Sequence, residues 1–436
     1  MSRLVFLLSV LLTAASGNAL FAKERPNVIL ILADDFGYEC VRANGGESYN
    51  TPNLDQLAKT GIRFTSCHVQ PLCTPTRVQL MTGKSNIRNY LNFGKLIRSE
   101  QTFGHRFKEA GYTTGICGKW QLGQEVDAPQ HFGFDEACLW QHTRRPPRYA
   151  NPGLEYNGKE KDFSNGEYGP DLVQQFALDF ISRHKEKPFF LYYPMMLTHS
   201  PYQPTPDSAN WDPTTVGEKV KDNKKHFGDM VQYMDKLIGK LMAHLESQQL
   251  RDNTLILFVG DNGTGRGLES RFEGRNYPGG KGTTTLRGTH VPLIANWPAV
   301  ITSPSVNNDL ISSVDFLPTL CEVAQTNSPQ GIDGISFYPQ LTGKPSSPRE
   351  WIYSWYSPRQ GNDKTIREFA FDHRFKLYQN GNFFDLEKDI EEKQPLSGSE
   401  LTGDAKQAKE RLQKALDQYV NARPKELEQG EASKQK

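Results

Sequence analysis

Two unbroken apolar runs organise this chain, Asn27–Ala33 (NVILILA) and Thr254–Val259 (TLILFV). Neither alternates with polar residues, so each predicts a strand covered on both faces, as in a parallel sheet packed between helices. Pro188–Tyr193 (PFFLYY) predicts a third buried strand, and Thr113–Cys117 a shorter fourth. Helical signals lie between them. Thr51-Pro52 predicts a cap followed by Pro at the first helical position, Leu54, Leu57 and Ala58 form an inner face, and Gly61 ends the helix. Between Phe227 and Leu250 the residues Val231, Met234, Leu237, Ile238, Leu241, Met242 and Leu245 recur at helical spacing, a core-packing stripe. A short apolar run, Pro292–Ala295, precedes a helix near Val314–Ala324. The alternation predicts an α/β layered domain with a large, mostly parallel mixed sheet flanked by helices.

The texture changes after about Gly343. Trp351–Trp355, Glu368–Phe371 and Arg374–Tyr378 predict short strands, and Asn380-Gly381-Asn382 before Phe383-Phe384-Asp385-Leu386 is a hairpin signal. A final helix carries Ala405, Ala408, Leu412, Ala415, Leu416 and Tyr419 on one face. These elements predict a small C-terminal α+β subdomain with an antiparallel sheet over residues 344–423, after a main domain at 23–343. Residues 424–436 are Lys/Glu-rich and predict a solvated tail.

Charge and cysteine usage narrow the function. Lys+Arg total 51 against 50 Asp+Glu, a net +1 without a basic block in the core region, which argues against nucleic acid as a partner. Arg3, an apolar stretch from Leu4 to Ala15 and small residues at Ala19 and Ala22 have the order of a secretory signal, residues 1–22. Ser16, Gly17 and Asn18 interrupt the stretch, so cleavage is favoured over an uncleaved anchor. The expected mature protein is exported, periplasmic or secreted (lysosomal or extracellular in a eukaryote), without stable membrane insertion. Six cysteines in 436 residues make no disulfide scaffold, and pairings cannot be read from their positions.

Chemistry concentrates where the apolar runs end. Asp34-Asp35 follows the first run and Asp261-Asn262 the second, offering hard oxygen ligands suited to Ca2+ or, less well, Mg2+. Cys73-Thr74-Pro75-Thr76-Arg77 predicts a helix over Thr76–Met81, stopped by Gly83, with Cys73 just ahead of its anion-favouring N-terminus. Arg77 then lies about one turn away, and an unmodified thiol there is a candidate low-pKa nucleophile. Lys119 sits in Gly118–Gly123 (GKWQLG), Lys281 in Gly279–Thr284 (GGKGTT), and His199 soon after PFFLYY. Lysines can clamp anionic oxygens, and a His can protonate a leaving alkoxide. Trp140–Arg148 (WQHTRRPPR) is basic and aromatic, either an exposed loop with solvated charges or the border of a pocket.

At these residues the chain resembles a type I, formylglycine-dependent sulfatase of the alkaline-phosphatase superfamily, arylsulfatase-like. The matching stretches occur in family order from about Arg25 to Trp297: PNVILILADD at Pro26–Asp35, TPNLDQLA at Thr51–Ala58, CTPTR at Cys73–Arg77 with TGK after it, GKWQLG, GDNG at Gly260–Gly263, and GGKGTT. The closing KLY at Lys376–Tyr378 and FFDL at Phe383–Leu386 resemble the family's C-terminal hairpin. The resemblance implies an alkaline-phosphatase-like fold and oxidation of Cys73 to formylglycine (3-oxoalanine) by a formylglycine-generating or sulfatase-maturing enzyme. One hydroxyl of the hydrated aldehyde attacks sulfur and the alcohol leaves; the other then expels sulfate. It further implies that Asp34, Asp35, Asp261, Asn262 and modified Cys73 hold Ca2+, and that Asp261 helps deprotonate the attacking hydroxyl. Arg77 and Lys119 orient the hydrate, Lys281 binds sulfate and His199 assists the leaving group. With export, the resemblance implies sulfated carbohydrates as substrates, with simple aryl sulfates accepted without being natural ones.

Gln121 departs from the pattern, since the family usually has His there. Gln can hydrogen-bond the hydrate but cannot take its proton near neutral pH. The expectation is that turnover persists with deprotonation supplied by another group or solvent. The alternatives are a phosphonate monoester or phosphodiester hydrolase of the same superfamily, and a non-catalytic exported binding protein that keeps the metal site.

Overall fold

The computed structural model describes residues 25–214, 222–358, 365–398, 401 and 403–428. The expected signal segment and most of the expected tail lie outside them. Among the described residues no helix is long and apolar enough to cross a membrane.

An 11-stranded mixed sheet forms the centre. Its middle is parallel: Thr254–Gly260, Asn27–Ala33, Phe189–Pro194, Thr113–Gly118 and Glu136–Trp140 lie side by side in that order. His290–Asn296 joins antiparallel to Thr254–Gly260 and to Ile62–His68. At the other edge Gly153–Tyr156 and Lys159–Asp162 add an antiparallel hairpin. The unbroken apolarity of Asn27–Ala33 now has its reason. Val28, Leu30 and Leu32 enter one core with Phe103, Phe107 and Phe316, whereas Ile29, Ile31 and Ala33 enter another with Phe180, Leu237 and Leu241. A polar residue on either face would lie buried without a partner.

Helix Phe227–Ser247 supplies the second core with Val231, Met234, Leu237, Ile238, Leu241 and Leu245, as its spacing predicts, while Met242 is only partly buried. It also caps a neighbour. The helix Pro52–Thr60 has no side-chain cap from Thr51; instead Asp235 accepts the backbone N–H groups of Asn53 (3.0 Å) and Leu54 (2.9 Å). The local cap predicted from Thr51-Pro52 is thus replaced by a carboxylate from another helix, which also suits the positive end of the helix dipole.

The C-terminal elements form a four-stranded antiparallel sheet ordered Ile352–Tyr356, Arg367–Phe371, Phe375–Tyr378, Phe383–Asp385. Gly381 takes the left-handed conformation (φ 90°) that closes the predicted turn. Helix Gly403–Asp417 covers the sheet with Ala408, Leu412, Ala415 and Leu416. The described part of the expected tail, residues 424–428, is ordered rather than frayed: Lys425–Glu428 is helical, and Arg423 lies 4.5 Å over the Trp355 ring and bonds the Tyr90 and Leu427 carbonyls.

His290, opening its strand, stacks 4.0 Å from Tyr38 and 4.9 Å from His68 and bonds the Thr65 carbonyl. Burial pushes His290 down to about 4, and burial with the neighbouring His290 holds His68 well below its usual value. Because the unfolded chain protonates first, the stability these rings contribute is complete above a pH of about 6.5 and is lost as pH falls through the folded value. Thermal melts should show a steep loss of Tm over that window, and His290→Gln should flatten it.

Candidate active site

The site assembles at the carboxyl ends of the parallel strands, where α/β sheets leave open backbone ends and diverging loops. Ala33 pairs in register with Gly260, and the Asp261 N–H donates to the Ala33 carbonyl (2.9 Å), so Asp34 and Asp261 emerge side by side. Asp35 follows in left-handed backbone (φ 59°), a conformation Asp tolerates better than most residues. Its N–H donates to Asp261 Oδ1 (3.0 Å).

Cys73 is the first residue of helix Cys73–Thr82, behind extended Leu72, rather than a residue ahead of a helix beginning at Thr76. Every residue of this helix is buried, and Gly83 ends it at φ 65°. The turn is fixed from outside: Thr76 Oγ1 donates to the Gln70 carbonyl, Asn86 Nδ2 to the Pro75 carbonyl, and the Gly94 N–H to Thr74 Oγ1, all at 3.1 Å. Burial pushes the Cys73 thiol up, and Lys119 only partly offsets it. The expectation of a low-pKa thiol is therefore corrected: the unmodified side chain is a protonated, weak nucleophile.

Arg77 is fully buried. Its Nε (3.3 Å) and Nη2 (2.9 Å) donate to Asp261 Oδ2, and its Nη1 donates to the Lys119 carbonyl (2.8 Å). Lys119 in turn places Nζ 2.7 Å from Asp34 Oδ2, and Lys281 places Nζ 2.6 Å from Asp35 Oδ2. His199 Nδ1 bonds the Ser200 carbonyl, leaving Nε2 facing Asp35 Oδ2 at 3.9 Å. Burial, only partly opposed by Asp35 and Asp34, pushes His199 down to about 4. Gln121, two residues past Lys119, is half-buried in left-handed backbone (φ 59°) and makes no hydrogen bond to the other site residues. The structure thus brings together every residue expected at the site except Gln121, which it leaves beside the site without a bond to it.

The oxygen set fits a hard divalent cation. Asn262 Nδ2 donates to Asp35 Oδ1 and to the Gly263 carbonyl (both 2.9 Å), which leaves Asn262 Oδ1 buried without a partner; Asp34 Oδ1 is in the same condition. One ligand atom each of Asp34, Cys73 and Asp261 lie within 4.8 Å of one another, as do those of Asp34, Asp35 and His199. Burial and the adjacent Asp34 push Asp261 above the usual carboxylate range, with Arg77 offsetting only part of this. Against its own burial, Asp34 is held low by Lys119, His199, Arg77 and Lys281. A dication among three carboxylates would relieve their mutual repulsion and occupy both orphaned oxygens.

Some supporting contacts could not be read from the sequence, although the stretches that make them could. The Gly282 N–H donates to the Pro71 carbonyl (2.8 Å), docking the Lys281 loop on the Cys73 turn. Buried Lys376, on the C-terminal sheet, donates to the Thr284 carbonyl and pairs with Glu392, while Tyr378 bonds Thr284 Oγ1. Arg148 reaches Asp34 at 3.9 Å; the basic, aromatic texture of Trp140–Arg148 was its only signal. All six cysteines are free and buried.

An oxygen-rich metal-type centre, anion-binding lysines and a residue at a helix N-terminus, mounted on a doubly covered parallel sheet, define a hydrolase of anionic esters. Residues 26–326 match the sulfatase family, and residues 286–421 match the C-terminal region of N-sulphoglucosamine sulphohydrolase. The chain is 34% identical to arylsulfatase A of Bos taurus over 385 residues, 78% of this chain and 73% of that protein. It is 32% identical to N-acetylgalactosamine-6-sulfatase of Canis lupus familiaris over 384 residues, 79% and 72% respectively. The crystal structure of Ps i-CgsB in complex with k-i-k-neocarrahexaose superposes with a TM-score of 0.73 at 26% identity, covering 92% of this chain and 94% of that one. The chain belongs to the type I sulfatase family, and is a sulfuric ester hydrolase of the alkaline-phosphatase superfamily.

Proposed function

We propose that this enzyme is exported and cleaves sulfate esters of carbohydrates, with aryl sulfates as accessory substrates, through a formylglycine made from Cys73 by a maturing enzyme. The observation that carries this reading is the convergence of Lys119, Lys281, Arg77 and three carboxylates on a Cys73 whose own thiol is held protonated. The hydrated aldehyde supplies an oxygen nucleophile and a second hydroxyl for releasing sulfate. Asp34, Asp35, Asp261 and Asn262 would hold Ca2+ together with residue 73, and the ion would supply positive charge to the sulfate ester.

The chain's own residues do the rest. Arg77 fixes Asp261 and the Lys119 backbone, and Lys119 fixes Asp34, so the charges around residue 73 are set before the reaction and need little reorganisation during it. Lys281 offers a cation to the sulfate. His199 carries its proton on Nδ1 at rest and donates from Nε2 only when charged, a state favoured by a bound anion beside it. Gln121 can hold a hydroxyl but cannot take its proton, so the proton that must leave residue 73 for sulfate release would pass to Asp261, His199 or water.

Turnover of matched sulfate monoesters, phosphate monoesters and phosphate diesters by one matured preparation tests the reading. Sulfate release should exceed phosphate release; preferential cleavage of the diester would replace the reading with a phosphoryl hydrolase. Chelation should cut sulfate release by at least about 100-fold and lower Tm, and Ca2+ at a hundred times its Kd should restore roughly 2.7 kcal/mol of stability. Calorimetric melts with and without chelator check this.

A further inference from the structure

Arg148 is a guanidinium held at the reaction centre without a partner for one of its donors. Its Cζ lies 4.0 Å from the Trp140 ring centroid, over the ring, and Trp140 is itself fixed by Nε1 donating to the Pro146 carbonyl (2.7 Å). The next residue, Tyr149, bonds the carbonyls of Met196 and His199, tying this segment to the His199 turn. Stacked this way, Arg148 Nη1 is buried, stands 3.9 Å from Asp34 Oδ2, too far for a hydrogen bond, and has no hydrogen-bond partner. Asp34 already receives Lys119 at 2.7 Å, so the carboxylate does not require the arginine. A buried cationic donor left unpaired is costly, and a ligand oxygen is its natural complement.

The surroundings indicate which ligand. A cavity of about 200 Å3 opens beside Arg148, walled by Trp140, Arg145, Pro147, Pro201 and Gln203. It is lined by two arginines and no carboxylate. Arg144 makes the contrast: it is paired with Glu160 and Asp162, whereas Arg145 has no ion pair among the described residues. Arg145 Nη2 also lies 3.6 Å from where a Cβ would stand at Gly94, whose N–H bonds Thr74 next to Cys73. Arg145, which lines the cavity, thus reaches a residue bonded to the turn that carries the nucleophile, and Arg148, which also lines it, faces Asp34. The stacked Trp140 and three prolines give it apolar walls of the kind that pack against a sugar ring.

We propose that Arg145 and Arg148 form a subsite for a second anionic group on the substrate, so that the enzyme selects a polyanionic saccharide over a singly charged sulfate ester. This rests on the carbohydrate-sulfatase reading above, and names the substrate class of that same site. Arg148 contacts substrate directly; Trp140 positions it.

The test is binding, measured by calorimetry on full-length Cys73→Ala protein, which cannot turn over. The probes are a monosulfated hexosamine, the same sugar with a second sulfate, and the monosulfated sugar joined to a hexuronic acid. One or both doubly anionic probes should bind at least about tenfold more tightly than the singly anionic one, and the better of them identifies the second group as sulfate or carboxylate. Arg145→Gln and Arg148→Gln should each abolish most of that preference, and Arg148→Lys should restore only part, because an ammonium keeps the charge without the flat stacking fork. Equal affinity for all three probes, or a loss in the Gln variants equal for all three, would overturn the subsite. Absence of sulfate release by matured wild-type enzyme would instead overturn the catalytic reading, while leaving the binding comparison decisive for the subsite.

Discussion

Cys73→Ala will abolish sulfate release, with kcat/KM at least about 10^4-fold below the matured parent, the scale seen when a covalent nucleophile is removed. Against the matured parent the variant replaces only an aldehyde by a methyl group at a buried position beside Lys119 and Asp261, so the fold should survive with a Tm within a few degrees of the parent. Lys119, Lys281 and Arg77 remain in place, and the variant should still bind a sulfated ligand. Loss of turnover with retained binding separates the nucleophile's role from that of the anion cradle. A variant with more than a tenth of the parental rate would show that water, activated by the remaining groups, is the nucleophile.

The second large effect concerns stability. Arg77 and Asp261 are both fully buried, and Arg77 also satisfies the Lys119 carbonyl. Removing one member of such a pair leaves an uncompensated charge, so Arg77→Met should cost roughly 3–5 kcal/mol in chelator, as well as activity. The pH dependence has a defined sign. Without Arg77, the folded-state pKa of Asp261 rises further above its unfolded value, so stability is present at low pH and lost as pH rises through the folded pKa. The deficit relative to the parent should therefore be smaller near pH 5 than near pH 8. Combining Arg77→Met with Asp261→Asn should recover part of the stability and none of the activity. Denaturant titrations of the parent, both single variants and the double variant at both pH values check this; a deficit independent of pH would assign the loss to packing instead.

What could be read from the chain depended on whether the physics was local. Asn27–Ala33 and Thr254–Gly260 announce themselves because both faces of each strand are buried, and the acids that follow them fall at the strand ends by chain connectivity alone. The C-terminal hairpin was equally plain, since Gly381 supplies the backbone its turn requires. Other features are set by partners distant in sequence. Lys159–Asp162 (KEKD) is wholly exposed and has no apolar pattern, and it is a strand only because Gly153–Tyr156 pairs with it. The cap of Pro52–Thr60 comes from Asp235, and the brace on the Lys281 loop comes from Lys376, which burial pushes down to about 8 despite Glu392. Arg148 was visible as a charge in a basic stretch; its orientation follows from stacking on Trp140 and from Tyr149 anchoring beside His199.

The proposed chemistry turns on residue 73. Its thiol is buried, held protonated and surrounded by groups suited to an oxygen anion, so the account requires that it be replaced by an aldehyde before the enzyme works. The mass of the peptide containing residue 73, taken from active protein made in its native host, tests this most directly. The account predicts a peptide lighter by the loss of one sulfur and two hydrogens against the gain of one oxygen, in proportion to specific activity across preparations. An intact thiol at that position in fully active enzyme would contradict it.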